Sequence, residues 1–167
     1  MSVKVVSNSS PLIYLAKLGK LELLRKLFKE ILIPKEVFNE VILRGKAGKF
    51  SDVIVIEEAM QGGWLKTRGT EADRKLAKYA PELDLGEREV ISLAREIKAD
   101  LVLMDDASAR SISESLGLNA KGTIYVLLKA YKSGLVTKDE VKTLLDKLIL
   151  TGFRLSSETY SRILGQL

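Results

Sequence analysis

The chain has 167 residues and a net charge of +5, and it contains neither cysteine nor histidine. Disulfides, thiolate nucleophiles, Cys/His zinc sites, histidine acid–base catalysis and Ser-His-Asp triads are therefore excluded. Any catalytic metal must be held by oxygen ligands, which favours Mg²⁺ or Mn²⁺. The positive charge fits an anionic partner such as nucleic acid, or equally a lysine-rich soluble surface of the kind common in thermophiles.

Short apolar runs alternate with amphipathic segments along the chain. Strands are predicted at residues 3–7, 31–33, 64–67 and 101–104. Helices are predicted at residues 11–18, 21–28, 34–43, 53–60, 70–79, 86–97, 107–116, 122–133, 138–148 and 157–164, the first capped by Ser9 or Ser10. Residues 44–50 hold two glycines and three basic residues and are predicted to form a mobile loop. This order predicts an α/β fold with a central parallel sheet of about four to five strands flanked by helices.

The length suits a single domain with a sizeable core. We expect residues 1–133 to form the α/β domain and residues 134–167 to form a helical extension packed on it. Leu15 and Leu18 in the early helices could form a dimer face, although packing in the core is the simpler interpretation. No apolar run is long enough to span a bilayer and no signal peptide is recognisable, so we expect a cytoplasmic protein with no membrane partner.

Polar side chains follow the first and the last predicted strands. Asn8 follows the first strand, and Asp105 and Asp106 follow the strand at residues 101–104. Because open parallel sheets bind ligands at the carboxyl ends of their strands, these side chains converge if the two strands are neighbours. One aspartate could simply cap the next helix, but a cap explains only one of the pair. Arg110, one turn later, could meet a phosphate or neutralise an aspartate.

Two glutamates border apolar helix stripes. Glu87 lies three and four residues before Val90 and Ile91, so it extends their buried stripe at helical spacing. An isolated buried carboxylate is costly and a cation would offset the cost, whereas the alternative is an exposed first-turn glutamate favoured by the helix dipole. Glu40 likewise either faces solvent at the edge of its stripe or joins the acidic site. Asp84 is interpreted as a cap or turn residue.

These residues, in this order, resemble the PIN domain, a metal-dependent ribonuclease fold, over about residues 3–130. That family begins with a strand that ends in aspartate followed by a small hydroxyl residue; here Asn8 stands there, with Ser9 and Ser10 after it. A glutamate then follows a short strand and a proline, which corresponds to Glu40. A third acid opens a helix that leads into a strand ending in the fourth acid, and these correspond to Glu87 and Asp105.

Finer details are similar to a mainly prokaryotic PIN-like subgroup, whose members are often described as nucleic-acid-binding proteins of unproven activity. Four short motifs carry this similarity: Ser9-Ser10-Pro11-Leu12-Ile13, Gly86-Glu87, Asp105-Asp106 and Gly122-Thr123. The sequence departs from the family at Asn8, where the first acid is missing. An amide oxygen can still ligate Mg²⁺, but it attracts the cation less than a carboxylate does and cannot act as a base.

The resemblance implies a three-layer PIN-like fold and a set of site residues. The implied catalytic residues are Asn8, Glu40, Glu87, Asp105 and Asp106, the last as an extra carboxylate. The implied ligands of Mg²⁺ or Mn²⁺ are Glu40, Glu87, Asp105 and Asn8. The implied supporting or phosphate-binding residues are Ser10, Arg110 and Thr123, with Ser10 orienting Asn8 by a hydrogen bond.

The function that this resemblance implies is a metal-dependent endoribonuclease acting on single-stranded RNA, with activity weakened by Asn8. Such proteins are commonly toxins of type II toxin–antitoxin pairs, held inactive by a small antitoxin and often homodimeric. Basic residues between positions 44 and 49 would attract the RNA. The main alternative is a PIN-like module that binds RNA or protein without cleaving. A phospho-acceptor role for Asp105 and Asp106 is disfavoured, because receiver domains place their acid pair at the first strand.

Overall fold

A five-stranded parallel sheet forms the centre of the protein, in the order β3-β2-β1-β4-β5. The computed structural model describes residues 2–47 and 52–167. The strands are β1 (Val5–Ser7), β2 (Ile31–Ile33), β3 (Leu65–Thr67), β4 (Leu101–Leu103) and β5 (Ala120–Lys121). Helices flank the sheet, and the predicted three-layer α/β architecture is confirmed.

The helices occupy most of the remaining chain. They are α1 (Ser9–Lys17), α2 (Glu22–Phe28), α3 (Lys35–Phe38), α4 (Gly45–Ala47), α5 (Asp52–Gln61), α6 (Arg74–Tyr79), α7 (Leu85–Ile97), α8 (Ala107–Ser115), α9 (Thr123–Lys132), α10 (Lys138–Leu150) and α11 (Ser157–Leu164). A π-helical turn, Asn39–Arg44, joins α3 to α4. None of the helices in residues 2–47 and 52–167 has the length and apolar character that crossing a membrane requires.

The order of the strands decides where a site can form. From β1 the chain moves outward to β2 and β3, then returns to place β4 on the other side of β1. The topological switch point, where open α/β sheets bind ligands, therefore lies between β1 and β4. Ser7 pairs with Leu103, and the backbone N–H of Asn8 donates to the Leu103 carbonyl at 2.8 Å. The chain leaving β1 and the chain leaving β4 consequently emerge side by side.

The central strands are as buried as their sequences predict. All three residues of β1 and of β4 are inaccessible or nearly so, which is why both read as continuous apolar runs rather than alternating ones. Leu15 and Leu18 are also buried within the chain. They therefore belong to the core, and the alternative that they form an exposed dimer face is wrong.

Three local predictions need correction. The predicted loop at residues 44–50 is helical through Ala47, and positions 48–50 lie outside the described residues. This region is held by ion pairs from Arg44 to Glu36 at 2.7 Å and from Lys46 to Glu57 at 2.6 Å. The structure also adds β5, which was not predicted. Finally, α1 begins at Ser9 with Asn8 in the N-cap position, so neither predicted serine cap is used.

The C-terminal helices pack against the rest of the chain. Leu145 and Leu148 of α10 are fully buried, and Ile163 of α11 is nearly so. The Tyr131 hydroxyl donates to the Leu167 carbonyl at 3.0 Å, which ties the last residue to α9. The division into residues 1–133 and 134–167 stays a prediction.

Candidate functional site

Asn8 lies at the switch point, and its side-chain amide does not cap α1, the helix that follows it. Its backbone is extended, as an N-cap requires, yet its side chain makes no capping hydrogen bond. The residue is only 8% exposed. The expected hydrogen bond from Ser10 to Asn8 is not among those formed by the described residues. The side chain is therefore placed at the edge of the sheet for some role other than capping.

Glu40 reaches the same region from the π-helical turn. The Ser9 hydroxyl donates to Glu40 Oε2 at 2.5 Å, so the serine beside Asn8 holds this carboxylate, a contact that was not predicted. Gly86 lies against the other oxygen, and a Cβ at that position would overlap Glu40 Oε1. The Gly86-Glu87 motif thus has a steric cause, because only glycine leaves room for Glu40 beside the start of α7.

Glu87 lies at the start of α7 and is 8% exposed, as its position on the apolar stripe predicts. It forms a capping box with Asp84: the Glu87 amide donates to Asp84 Oδ1 at 2.8 Å, and the Asp84 amide donates to Glu87 Oε1 at 3.1 Å. Asp84 is therefore the cap, as predicted. The box orients the Glu87 carboxylate without neutralising it, because the group that donates to the carboxylate is the uncharged backbone amide of Asp84.

Asp105 follows β4 and is fixed by the start of α9. Its two carboxylate oxygens accept hydrogen bonds from the Thr123 amide at 2.7 Å and the Thr123 hydroxyl at 2.8 Å. The Arg110 guanidinium donates to the Asp105 carbonyl at 2.5 Å, so Arg110 holds the backbone here and partly neutralises the aspartate. Asp106 accepts from the Ala109 amide at 2.8 Å and is the N-cap of α8.

Gly122 supplies the space that this arrangement needs. Its φ of −111° is open to any residue, but a Cβ would lie 2.6 Å from Asp105 Oδ1. Asp105 cannot retreat without losing its bonds to Thr123. Sequence reasoning predicted the Gly122-Thr123 pair by resemblance, and the geometry gives it a physical reason.

We expect Gly122→Ala to lower the free energy of unfolding by about 1–3 kcal/mol, because overpacking a fixed group carries a cost of that size. Urea unfolding followed by circular dichroism measures the change. Gly165→Ala is the matched control, since its Cβ would meet nothing nearer than 3.4 Å. Equal stability of the two variants would show that Asp105 is not rigidly held.

The site residues form two adjoining groups rather than one compact ligand cage. One group joins Ser9, Glu40, Gly86 and Glu87, and the other joins Asp105 to Thr123 and Gly122. Within residues 2–47 and 52–167, no three acidic side chains lie close enough together to hold one ion. Asn8 is the predicted site residue that stands at the strand end between the groups.

Glu89 is a buried carboxylate that sequence reasoning missed. It is 9% exposed, and its Oε1 accepts from the Glu36 amide at 3.3 Å in the first turn of α3. Glu89 therefore links α7 to the segment that carries Glu40. Its position two residues after Glu87 gives no sequence signal, because a charged residue there is ordinarily solvated.

The family comparison agrees with this arrangement. A family model described as a PIN domain matches residues 4–167. The chain belongs to the PIN-domain family. The predicted resemblance is thus confirmed, and the match extends beyond the residues 3–130 on which it was based. No curated protein matches the chain.

Electrostatics in this PIN domain disfavour negative charge on the acids. Burial raises the pKa of Glu87 from 4.5 to about 7, and the charges of Asp84 and Asp106 add to that effect. Burial also raises the pKa of Glu40, against the hydrogen bond from Ser9. Burial raises the pKa of Asp105 although its bonds to Thr123 act in the opposite direction. Three carboxylates of the PIN domain are therefore more costly to ionise than they would be in water.

A divalent cation fits the chemistry of this donor set. All candidate ligands are carboxylate or amide oxygens, which Mg²⁺ and Mn²⁺ prefer. Both Gly86 and Gly122 leave room for a carboxylate that a side chain would displace. Mg²⁺ commonly keeps several waters and takes only one or two carboxylates as ligands. Mg²⁺ binding therefore does not require three acids close together, and no such group occurs among the described residues of this PIN domain.

Proposed function

We propose that the chain is an Mg²⁺- or Mn²⁺-dependent endoribonuclease that cleaves single-stranded RNA. The nuclease-like fold follows from membership of the PIN-domain family. The observation that carries the finer proposal is a set of buried carboxylates around the switch point: burial raises the pKa of Glu87 to about 7 and raises the pKa values of Glu40 and Asp105 in the same direction. Buried carboxylates with raised pKa values at a ligand-binding edge are a common mark of a functional site.

Each residue has a role that its contacts support. Asp105, Glu87 and Glu40 would hold the ion or its waters, and Asn8 would offer a neutral oxygen. When bound, the ion would supply an activated water and stabilise charge on the phosphate. Ser9 fixes the Glu40 carboxylate with one hydrogen bond, and Thr123 fixes the Asp105 carboxylate with two. Arg110 secures the backbone that carries Asp105.

One observation favours a second candidate function, an RNA- or protein-binding module without cleavage. With Asn8 in place of an acid, no three acids converge in the part of the chain that the structure describes. An amide attracts a cation less strongly than a carboxylate, so the ion would be held more weakly.

Asp105→Asn separates the two candidates. We expect manganese-dependent cleavage of a short single-stranded RNA by the wild-type protein, abolished by EDTA and lowered by about 100-fold or more in this variant, because a metal ligand loses its charge. Gel analysis of an end-labelled RNA measures the rate. Asp139→Asn makes the same atomic change at an exposed position in the first turn of α10 and should cleave normally.

The two candidates give opposite results in this assay. Equal cleavage by Asp105→Asn and the wild type would point to a contaminating nuclease and reject the assignment. RNA binding without any cleavage, in the presence of Mn²⁺, would favour the binding module.

We further propose a toxin of the type II class, a homodimer in the cytoplasm that a small antitoxin inhibits. Exposed apolar side chains support a protein partner: Leu43 and Ile54 leave more than half of their surface accessible. Induced expression should arrest growth, and arrest should weaken in Asp105→Asn. Growth arrest of equal strength in the variant would contradict a toxin that acts by cleavage. Light scattering of the purified protein tests the dimer.

A further inference from the structure

The cleft beside Asp105 reaches well beyond the acidic residues. Its volume is about 620 Å³, and three parts of the chain line it: the start of α8, the junction of β5 with α9, and the segment between α10 and α11. Among the lining residues, Lys121 comes from the sheet and Arg154 from the C-terminal segment. The C-terminal part of the chain therefore forms one wall of the candidate site.

That wall is fixed in place. The Phe153 ring meets the Tyr14 ring of α1 edge to face, with centroids 5.1 Å apart and planes at 80°. Beyond the cleft, the Tyr160 hydroxyl donates to Asp146 at 2.7 Å and Ile163 is buried. Arg154 lies between these anchored points and is exposed. Its backbone is thus held at the rim, while its side chain can reach a ligand.

The basic side chains in this cleft differ in the hydrogen bonds and ion pairs that they form. Arg110 is bonded to the carbonyls of Asp105 and Met104. No ion pair within residues 2–47 and 52–167 includes Lys121 or Arg154. Lys121 Nζ instead lies 6.0 Å from the centre of the Tyr125 ring. Two positive charges in the lining of one cleft are therefore available to an anion.

The basic segment at residues 44–49, which the sequence predicted to attract RNA, differs from the cleft because its described cations form ion pairs. Arg44 and Lys46, expected to attract RNA, are paired with Glu36 and Glu57. Lys49 lies outside the described residues. Positive charge available to an anion is consequently better supported at Lys121 and Arg154 than at residues 44–46.

Acids also line the cleft. Asp105 and Asp106 follow β4 beside the switch point, and Glu114 lies near the other end of α8. Asp105 accepts two hydrogen bonds from Thr123 and Asp106 caps α8, and neither forms an ion pair with a residue that the structure describes. A polyanion entering the cleft would bring its phosphates toward Lys121 and Arg154, with the acidic end left for a cation.

We propose that Lys121 and Arg154 form a phosphate subsite for the backbone of single-stranded RNA. The subsite would bind a phosphate that neighbours the one at the acidic residues, so the C-terminal segment is part of the substrate site. This inference rests on the proposed function for its ligand. Basic grooves beside aromatic rings are a usual way to bind single strands without reading their sequence, and Tyr125 lies beside Lys121.

Fluorescence anisotropy with a fluorescein-labelled oligouridylate tests the subsite directly. Binding is measured in EDTA over a range of KCl concentrations and repeated in Mg²⁺, for Lys121→Gln, Arg154→Gln and the double variant. Each single variant should weaken binding about fivefold and lower the slope of log Kd against log [KCl] by about 0.7. Arg154→Lys, which keeps the charge, should recover most of the loss. Circular dichroism confirms that the variants fold.

Arg162→Gln is the matched control, because it removes the same charge from an exposed position on α11 outside the cleft. An equal loss in this control would show that only net charge matters and would overturn the subsite. Unchanged binding in the double variant would overturn it too. If the cleft variants lose binding and no protein cleaves RNA, the subsite stands and the nuclease proposal fails. If Asp105-dependent cleavage occurs with unaltered KM in Arg154→Gln, the nuclease stands and the subsite fails.

Discussion

Asn8→Asp is expected to increase affinity for Mn²⁺ by about 10- to 100-fold and to raise the rate of RNA cleavage by a similar factor. The amide is almost fully buried at the switch point and does not cap α1, so a carboxylate can take its place without removing a capping bond. The added charge attracts a cation more strongly than an amide does. Calorimetric titration with Mn²⁺ measures the affinity, and cleavage of single-stranded RNA measures the rate.

Asn8→Asp should lower the thermal stability of the protein when metal is removed. A further carboxylate would join Glu40, Glu87 and Asp105, whose pKa values are already raised. The melting temperature should therefore fall in EDTA and recover in Mn²⁺. Asn119→Asp makes the same atomic change at an exposed position just before β5, at the amino-terminal end of the parallel strands and so away from Asn8. If both variants titrate Mn²⁺ alike, Asn8 is not beside a metal site.

Glu87→Gln is expected to stabilise the metal-free protein at about pH 8 by about 2 kcal/mol, after allowance for solvent screening. The folded-state pKa is about 7, above the ordinary 4.5. Between these values the native protein keeps a proton that the unfolded chain has lost, so the free energy of unfolding falls as pH rises. Below about pH 4.5 both states are protonated and the cost disappears. Glutamine retains the oxygen that accepts from the Asp84 amide.

Urea unfolding of both proteins in EDTA at about pH 5 and about pH 8 checks the sign and the size of this effect. The advantage of Glu87→Gln should shrink toward pH 5, and saturating Mg²⁺ should reduce it at pH 8 by stabilising the wild type. Glu82→Gln, at an exposed position just before α7, is the control and should show no such dependence. A constant difference at both pH values would mean that Glu87 is ionised at little cost.

Strong local signals made most of the fold predictable. β1 and β4 read as continuous apolar runs because both are buried on both faces, and α7 is defined by its stripe and by Asp84. β5 has two residues, too few to show any periodicity, and it exists because β4 offers an edge. The helical continuation through Ala47 is accompanied by ion pairs to Glu36 and Glu57, and these partners are too distant in sequence to give a signal in a local window.

The sequence was sufficient to select candidate site residues but not to predict the hydrogen bonds between them. The order of Asn8, Glu40, Glu87 and Asp105 along the chain was sufficient to indicate the family, which the family model confirms. The pairing of Ser9 with Glu40 joins residues 31 positions apart and has no local signature. Their roles as ligands stay predictions.

The π-helical turn that carries Glu40 also affects how the chain could tolerate changes in length. Such a turn holds one residue more than an α-helical turn, so this is where a deletion could leave the segment helical. Losing one residue from this turn would return it to α-helical geometry and leave the helical residues before and after it on their original faces. In α7, which has no such extra residue, the same loss would rotate every later residue of the helix by about 100°. The turn is therefore the place where the segment that carries Glu40 could shorten by one residue while its flanking residues stay in register.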